Sequence, residues 1–288
     1  MKRTLTPYIF LAPVLIGMVV FSVGPIIVSF LLSFTKWDIL SAPQWIGTGN
    51  YTEIFSSRLF WQVFSNTAYY VLLAVPCTVV LSLALALAVN RRIRGIALFR
   101  SAFFMPVVTS MVAVAVVWGW MYNPEYGLIN YVLRAWFGVR GPAWLQDPVW
   151  AMPALAIVGI WKAAGYNMMI FLAGLQSIPP EYDEAALLDG ANRRQRFFAV
   201  TLPMLTPTLY FVLVVTFIGA FQVFEQTYIL TRGGPANATL TLSYFIFQNA
   251  FQFFRMGYAS ALAYVMFAVV FIFTLAQMRL QKKWVFYK

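Results

Sequence analysis

Six long apolar runs constrain this chain more than any other feature, at about 8–34, 67–89, 101–122, 149–175, 202–224 and 257–278. Each has roughly the 20 or more residues that a helix needs to cross a hydrocarbon layer of about 30 Å. The expected fold is all-α, a polytopic membrane protein with six transmembrane helices. Composition agrees, with 61% hydrophobic and 10% charged residues, where soluble domains carry about a quarter charged. The first run follows Met1-Lys2-Arg3. It is too long for a signal-peptide core and lacks a small-residue cleavage site, so it reads as an uncleaved span. Pro13, Gly17, Gly24 and Pro25 should bend it. Residues 35–66 read as a polar loop with a short amphipathic piece near 58–64. The expected organisation is an N-terminal helix and outer loop over 1–66, a core over 67–280 and a tail over 281–288.

The net charge of +11 does not point to nucleic acid, because the basic residues lie in short clusters between apolar runs. Membrane orientation explains them better. With both termini inside, Lys2, Arg3, Arg91, Arg92, Arg94, Arg100, Arg193, Arg194, Arg196, Arg279, Lys282, Lys283 and Lys288 face the cytoplasm. Lys36, Arg58, Arg134, Arg140, Arg232 and Arg255 face outward, and the two-to-one excess predicts N-in and C-in. There is no histidine, and Cys77 is the one cysteine. That excludes an intrachain disulfide, a Cys/His zinc set and a histidine-based catalytic triad. No phosphate loop of the Gly-x-x-x-x-Gly-Lys-Ser/Thr type is present either, so a pump built on this chain would draw its energy from another chain. No catalytic, metal-binding or cofactor-binding residue is expected.

One segment, 179–203, is well charged and holds four of the nine acids, Glu181, Asp183, Glu184 and Asp189. Pro180 suits a first helical position, which puts the acids at the positive end of the helix dipole. Gly190 is placed to end that helix, and Asn192 to cap a second short one bearing Phe197, Phe198 and Val200. The expectation is a compact helix-turn-helix on the membrane surface.

The same segment reads Glu184-Ala185-Ala186, three residues, Gly190, nine residues, Val200, one residue, Leu202-Pro203. This resembles the EAA loop of binding-protein-dependent ABC importer permeases. The resemblance implies that 178–203 is a cytoplasmic coupling loop docking on an ATPase subunit. Its coupling residues would be Glu184, Ala185, Ala186, Gly190, Leu202 and Pro203. Residues 174–179, Ala12-Pro13, Gly24-Pro25 and the outer loop 230–239 are similar to the carbohydrate-importing branch. There Arg232, Gly233, Gly234 and Pro235 would face the binding protein. That branch usually reads Thr-Gly-Gly-Gly-Pro, so Arg232 is a departure.

By this resemblance the chain is a non-catalytic permease subunit in a bacterial or archaeal cytoplasmic (inner) membrane. It would form half of the path for a sugar or oligosaccharide. Implied partners are a homologous second permease in a heterodimer, an ABC ATPase dimer holding ATP and Mg, and an extracytoplasmic solute-binding protein. Two alternatives stay open: an importer of glycerol-3-phosphate or a phosphodiester, and a self-contained secondary transporter or intramembrane enzyme. The last predicts paired acids or a nucleophile within the spans, whereas Lys162 is the single formal charge deep in any of them.

Lys162 lies near the middle of the fourth run, where an ammonium costs about 2.5–3.5 kcal/mol unless it faces water or a partner. It should point into the bundle, either toward substrate or toward a neighbour such as Glu225. Tyr166 and Asn167 follow one turn on, an aromatic face beside an amide. Gln222 and Glu225, with Gln226, form a polar patch at the outer end of the fifth run. These are the candidate residues of a substrate pathway.

Overall fold

The computed structural model describes residues 6–91 and 94–286. Lys2, Arg3, Arg92 and Lys288, counted above among the inward charges, lie outside the described residues. The helices in chain order are α1 Thr6–Met18, α2 Gly24–Leu32, α3 Gly49–Ser56, α4 Arg58–Val89, α5 Ile96–Val108, α6 Met111–Met121 and α7 Leu128–Phe137. There follow α8 Pro148–Gln176, α9 Pro180–Leu188, α10 Arg193–Arg196, α11 Leu202–Phe221, α12 Leu242–Phe247 and α13 Met256–Leu280. Two short strands, β1 Thr35–Lys36 and β2 Gln44–Trp45, pair antiparallel with Thr35 opposite Trp45.

Five helices are long and apolar enough to cross a membrane, namely Phe10–Leu32, Arg58–Val89, Pro148–Gln176, Arg193–Phe221 and Met256–Lys283. The sixth candidate is not the straight helix expected over 101–122. It is α5 and α6, bent by 98° at a break. Thr109 and Ser110 are extended there, with ψ of 135° and 136°. Pro106 sits in the last turn of α5 and brings no N–H to the ladder.

Prolines also explain two π turns. Val19–Val23 lies just ahead of Pro25, and Phe197–Thr201 just ahead of Pro203. A proline ring crowds the carbonyl four residues back, and a wider turn makes room for it without ending the helix. The helix expected to be short after Asn192 therefore continues as one 29-residue span, Arg193–Phe221. Likewise the piece expected near 58–64 is the opening of α4, which contains no glycine and runs unbroken through Pro76.

The chain divides into two compact units. In the larger, 62–244 with 270–288, α8 lies at the centre and buries thirteen residues. Gly165 lets the α5 backbone approach so closely that a Cβ there would stand 2.1 Å from the Phe103 carbonyl oxygen. Tyr70, Met152, Leu155 and Val223 form one buried cluster. Met111, Val114, Tyr122 and Val158 form another. Asn66, which read as the end of a loop, anchors α4 instead, donating to the carbonyls of Asn237 and Leu240. Beside it Thr67 accepts from the Leu242 N–H.

In the smaller unit, 1–61 with 245–269, buried Asn50 donates to the carbonyls of Ser33 and Thr35 at 2.8 and 2.9 Å. The Tyr264 hydroxyl donates to the Ile26 carbonyl. Arg255 forks onto Glu53 at 2.6 and 2.7 Å.

Candidate functional site

The charged loop takes the local form its residues dictate. Pro180 opens α9, with Glu181 and Asp183 in its first turn. Gly190 adopts a left-handed φ of +80°, and its N–H returns to the Leu187 carbonyl. Nothing lies within 4 Å of the place a Cβ would take, so backbone conformation alone calls for glycine here. Asn192 and Gln195 then form a reciprocal capping box. Asp183 and Arg196 join at 2.5 Å across the turn, fastening the start of α9 to the start of the next span. Glu184 and Ala185 are exposed, and Ala186 partly so. Leu188 is 89% exposed and Leu187 58%. Two leucines held outward on a charged helix are a feature that helix propensity alone did not single out.

All five candidate pathway residues, Lys162, Tyr166, Asn167, Gln222 and Glu225, line one cavity of about 580 Å³. Its wall comes from α4, α8, α11, the segment after α11 and, through Val107, α5. Lys162 Nζ donates to the carbonyl of Thr109 at 2.7 Å and of Pro106 at 3.3 Å. It therefore serves the broken end of α5, and the pairing with Glu225 considered above is not formed. Asn167 is 3% exposed, and its Nδ2 donates to Thr216 Oγ1 at 3.1 Å. Its Oδ1 has no protein partner. Gln226 Nε2 donates to the Tyr70 hydroxyl at 2.7 Å. Gly159 makes room for that bond, since a Cβ there would stand 2.2 Å from the tyrosine oxygen. Tyr70, Thr216 and Gly159 escaped the sequence reading. Their partners lie 49 or more residues away, and nothing local marks them.

The outer loop is tightly organised. Arg232 sits in the left-handed region at φ 51°, its N–H donating to the Thr227 carbonyl at 2.8 Å, while its side chain is exposed. Gly233 follows at φ 82°, and the Gly234–Pro235 peptide is cis. Thr239 Oγ1 bonds the Gly234 carbonyl at 2.6 Å and Thr231 Oγ1 at 2.7 Å. Gln62 and Asn66 hold the carbonyls of Ala236 and Asn237 from below.

Known proteins resemble this chain along nearly its whole length. The family described as "Binding-protein-dependent transport system inner membrane component" matches residues 46–286. A probable ABC transporter permease protein of Bacillus subtilis (strain 168), YesP, is 41% identical, with 100% of this chain and 94% of that protein covered. The trehalose/maltose transport system permease protein MalF of Thermococcus litoralis is 34% identical, covering 94% and 92%. Among solved structures, a chain of a bacterial alginate ABC transporter in complex with an alginate pentasaccharide-bound periplasmic protein superposes with a TM-score of 0.86. The two are 26% identical, with 98% of this chain and 96% of that one covered.

Proposed function

Because this chain belongs to the binding-protein-dependent transport system inner membrane components, we propose that it is the permease subunit of an ATP-driven carbohydrate importer. It forms half of the translocation path. A homologous permease forms the other half, in a heterodimer. An extracytoplasmic binding protein delivers the sugar or oligosaccharide, and an ABC ATPase dimer with ATP and Mg supplies the energy. Both termini and α9 face the cytoplasm of a bacterial or archaeal cell. This chain performs no chemistry of its own.

The observation that carries the reading is α9. It stands proud of the spans with Leu187 and Leu188 outward, yet the Asp183–Arg196 pair and the capping box hold it fast. A partner that moves can transmit force only through an element both exposed and stiff. Glu184, Ala185, Ala186 and Gly190 are the coupling residues, with Leu202 and Pro203 carrying the movement into the span. The carbohydrate class rests on the relatives, whose names include trehalose, maltose, lactose and arabinooligosaccharides.

The cavity suits such a solute, with the half-exposed ring of Tyr166 and the amides of Asn167, Gln222 and Gln226 on its wall. The one cation there, Lys162, is already committed to two carbonyls. That argues against the glycerol-3-phosphate or phosphodiester alternative, in which the lysine would hold the phosphate. Arg232, Gly233, Gly234 and Pro235 face the binding protein. The test is reconstitution with the cognate ATPase, second permease and binding protein. ATP hydrolysis should rise when the binding protein is loaded with one sugar of a panel. Stimulation by glycerol-3-phosphate alone would overturn the carbohydrate assignment.

A further inference from the structure

A second cavity, of about 700 Å³, lies on the span side of α9. Four guanidinium groups line it, from Arg91, Arg193, Arg194 and Arg196, against the single carboxylate of Asp183. That carboxylate is already bonded to Arg196 Nη1, so the remaining positive charge has no counterion on the cavity wall. Arg196 Nε is buried and has no protein partner. Three of the arginines stand in the first turn of a 29-residue helix, where the helix dipole disfavours cations. A cation cluster at that end needs an anion to complete it.

The rest of the wall is apolar. Leu87 comes from the last turn of α4, Leu175 from the last turn of α8, and Phe197 and Val200 from the π turn. The cavity therefore joins the last apolar turns of α4 and α8, and the opening apolar turn of the Arg193–Phe221 span, to a ring of arginines. Charged groups at the ends of apolar helices of this length are suited to the interface between hydrocarbon and water. Glu184, Ala185, Ala186 and Leu188 are not part of its lining, which separates it from the face of α9 assigned to the ATPase.

We propose that this cavity binds the phosphate headgroup of an anionic phospholipid, with the glycerol and upper acyl carbons against Leu87, Leu175 and Phe197. Guanidinium forks match phosphate oxygens in pairs, and basic pockets between helix ends are suited to such headgroups. Inorganic phosphate offers the same oxygens but nothing for the apolar wall, so the amphiphile is the better occupant. The inference requires only that the chain spans a membrane, and it stands apart from the identity of the solute.

Native mass spectrometry of the full-length protein in mild detergent tests it, titrating with phosphatidylglycerol, phosphatidylcholine or inorganic phosphate. Wild-type protein should bind phosphatidylglycerol roughly tenfold or more tightly than phosphatidylcholine. The R193Q/R194Q variant should lose that preference. R193K/R194K should keep most of it, and K282Q/K283Q, which removes charge elsewhere, should keep it whole. Equal binding of the two lipids by wild-type protein, a measurement independent of any variant's folding, would overturn the proposal. So would an unchanged preference in R193Q/R194Q, or displacement of phosphatidylglycerol by millimolar phosphate. If R193Q/R194Q keeps the lipid preference but no longer co-purifies with the ATPase, these arginines are a protein contact and the lipid assignment falls.

Discussion

Lys162 in α8 places its ammonium 2.7 Å from the carbonyl oxygen of Thr109, 53 residues earlier in the chain. The same nitrogen reaches the Pro106 carbonyl. A helix that ends inside the bundle leaves carbonyls unpaired, and one lysine from the neighbouring helix here serves two of them. The charge at mid-span is thereby paired without an acid.

Replacing that lysine should consequently act on stability before it acts on substrate. Lys162→Met strands two carbonyls and is expected to cost on the order of 2–3 kcal/mol. Thermal unfolding of the purified protein should show a lowered midpoint. Lys162→Arg, which keeps donors at that depth, should recover part of it. An unchanged midpoint in Lys162→Met together with altered sugar selectivity would make the lysine a substrate ligand instead.

Gly190 separates conformation from contact. Its Cβ position is empty but its φ is +80°. Gly190→Asn should therefore sustain transport, because asparagine tolerates the left-handed region, whereas Gly190→Val should lose most of it. Uptake in proteoliposomes, with insertion verified by protease protection, distinguishes them. Equal activity in the two variants would show that the turn does not depend on this backbone angle.

Arg232 occupies a left-handed position where the resembling branch usually has glycine. Arg232→Gly should be neutral or slightly stabilising, and Arg232→Val should destabilise by about 1–2 kcal/mol. Binding-protein affinity measured beside the melting curves reveals whether the exposed guanidinium contributes a contact. A glycine variant that melts normally but loses affinity would identify that contact.

Orientation is open to direct labelling. In a Cys77→Ser background, single cysteines at Ser56 and Asn237 should react with an impermeant thiol reagent on intact cells. Cysteines at Gln195 and Gln281 should not. Reaction at Gln195 would place α9 outside and remove the ATPase reading.

Much of the charged loop 179–203 was legible because its signals are local. Pro180, Gly190 and Asn192 each act within four residues, and each does in the structure what its chemistry suggests. Convergence of Lys162, Tyr166, Asn167, Gln222 and Glu225 on one cavity was legible as a set of polar residues out of place in apolar runs. The 98° break was not legible, since residues 101–122 stay apolar on both sides of it and hydropathy carries no record of direction. Asn66 misled for the opposite reason. Its polarity serves hydrogen bonds to residues 237 and 240, so a helix looked like a loop. The span expected to open at 202 begins at Arg193, because ahead of Pro203 the chain only widens into a π turn.

The run from Arg193 to Phe221 carries one more implication. At 1.5 Å per residue it is a rod of roughly 43 Å, and its near end is riveted to α9 by Asp183 and Arg196. There is no slack between the place a partner would push and the wall of the cavity, where Thr216 and Gly219 sit on that same rod. A small tilt imposed at the loop would therefore arrive at that cavity wall as a lever stroke. One joint along the way is the widened turn at Phe197–Thr201. Stiffening or loosening that joint should change how far the stroke reaches without altering either of its ends.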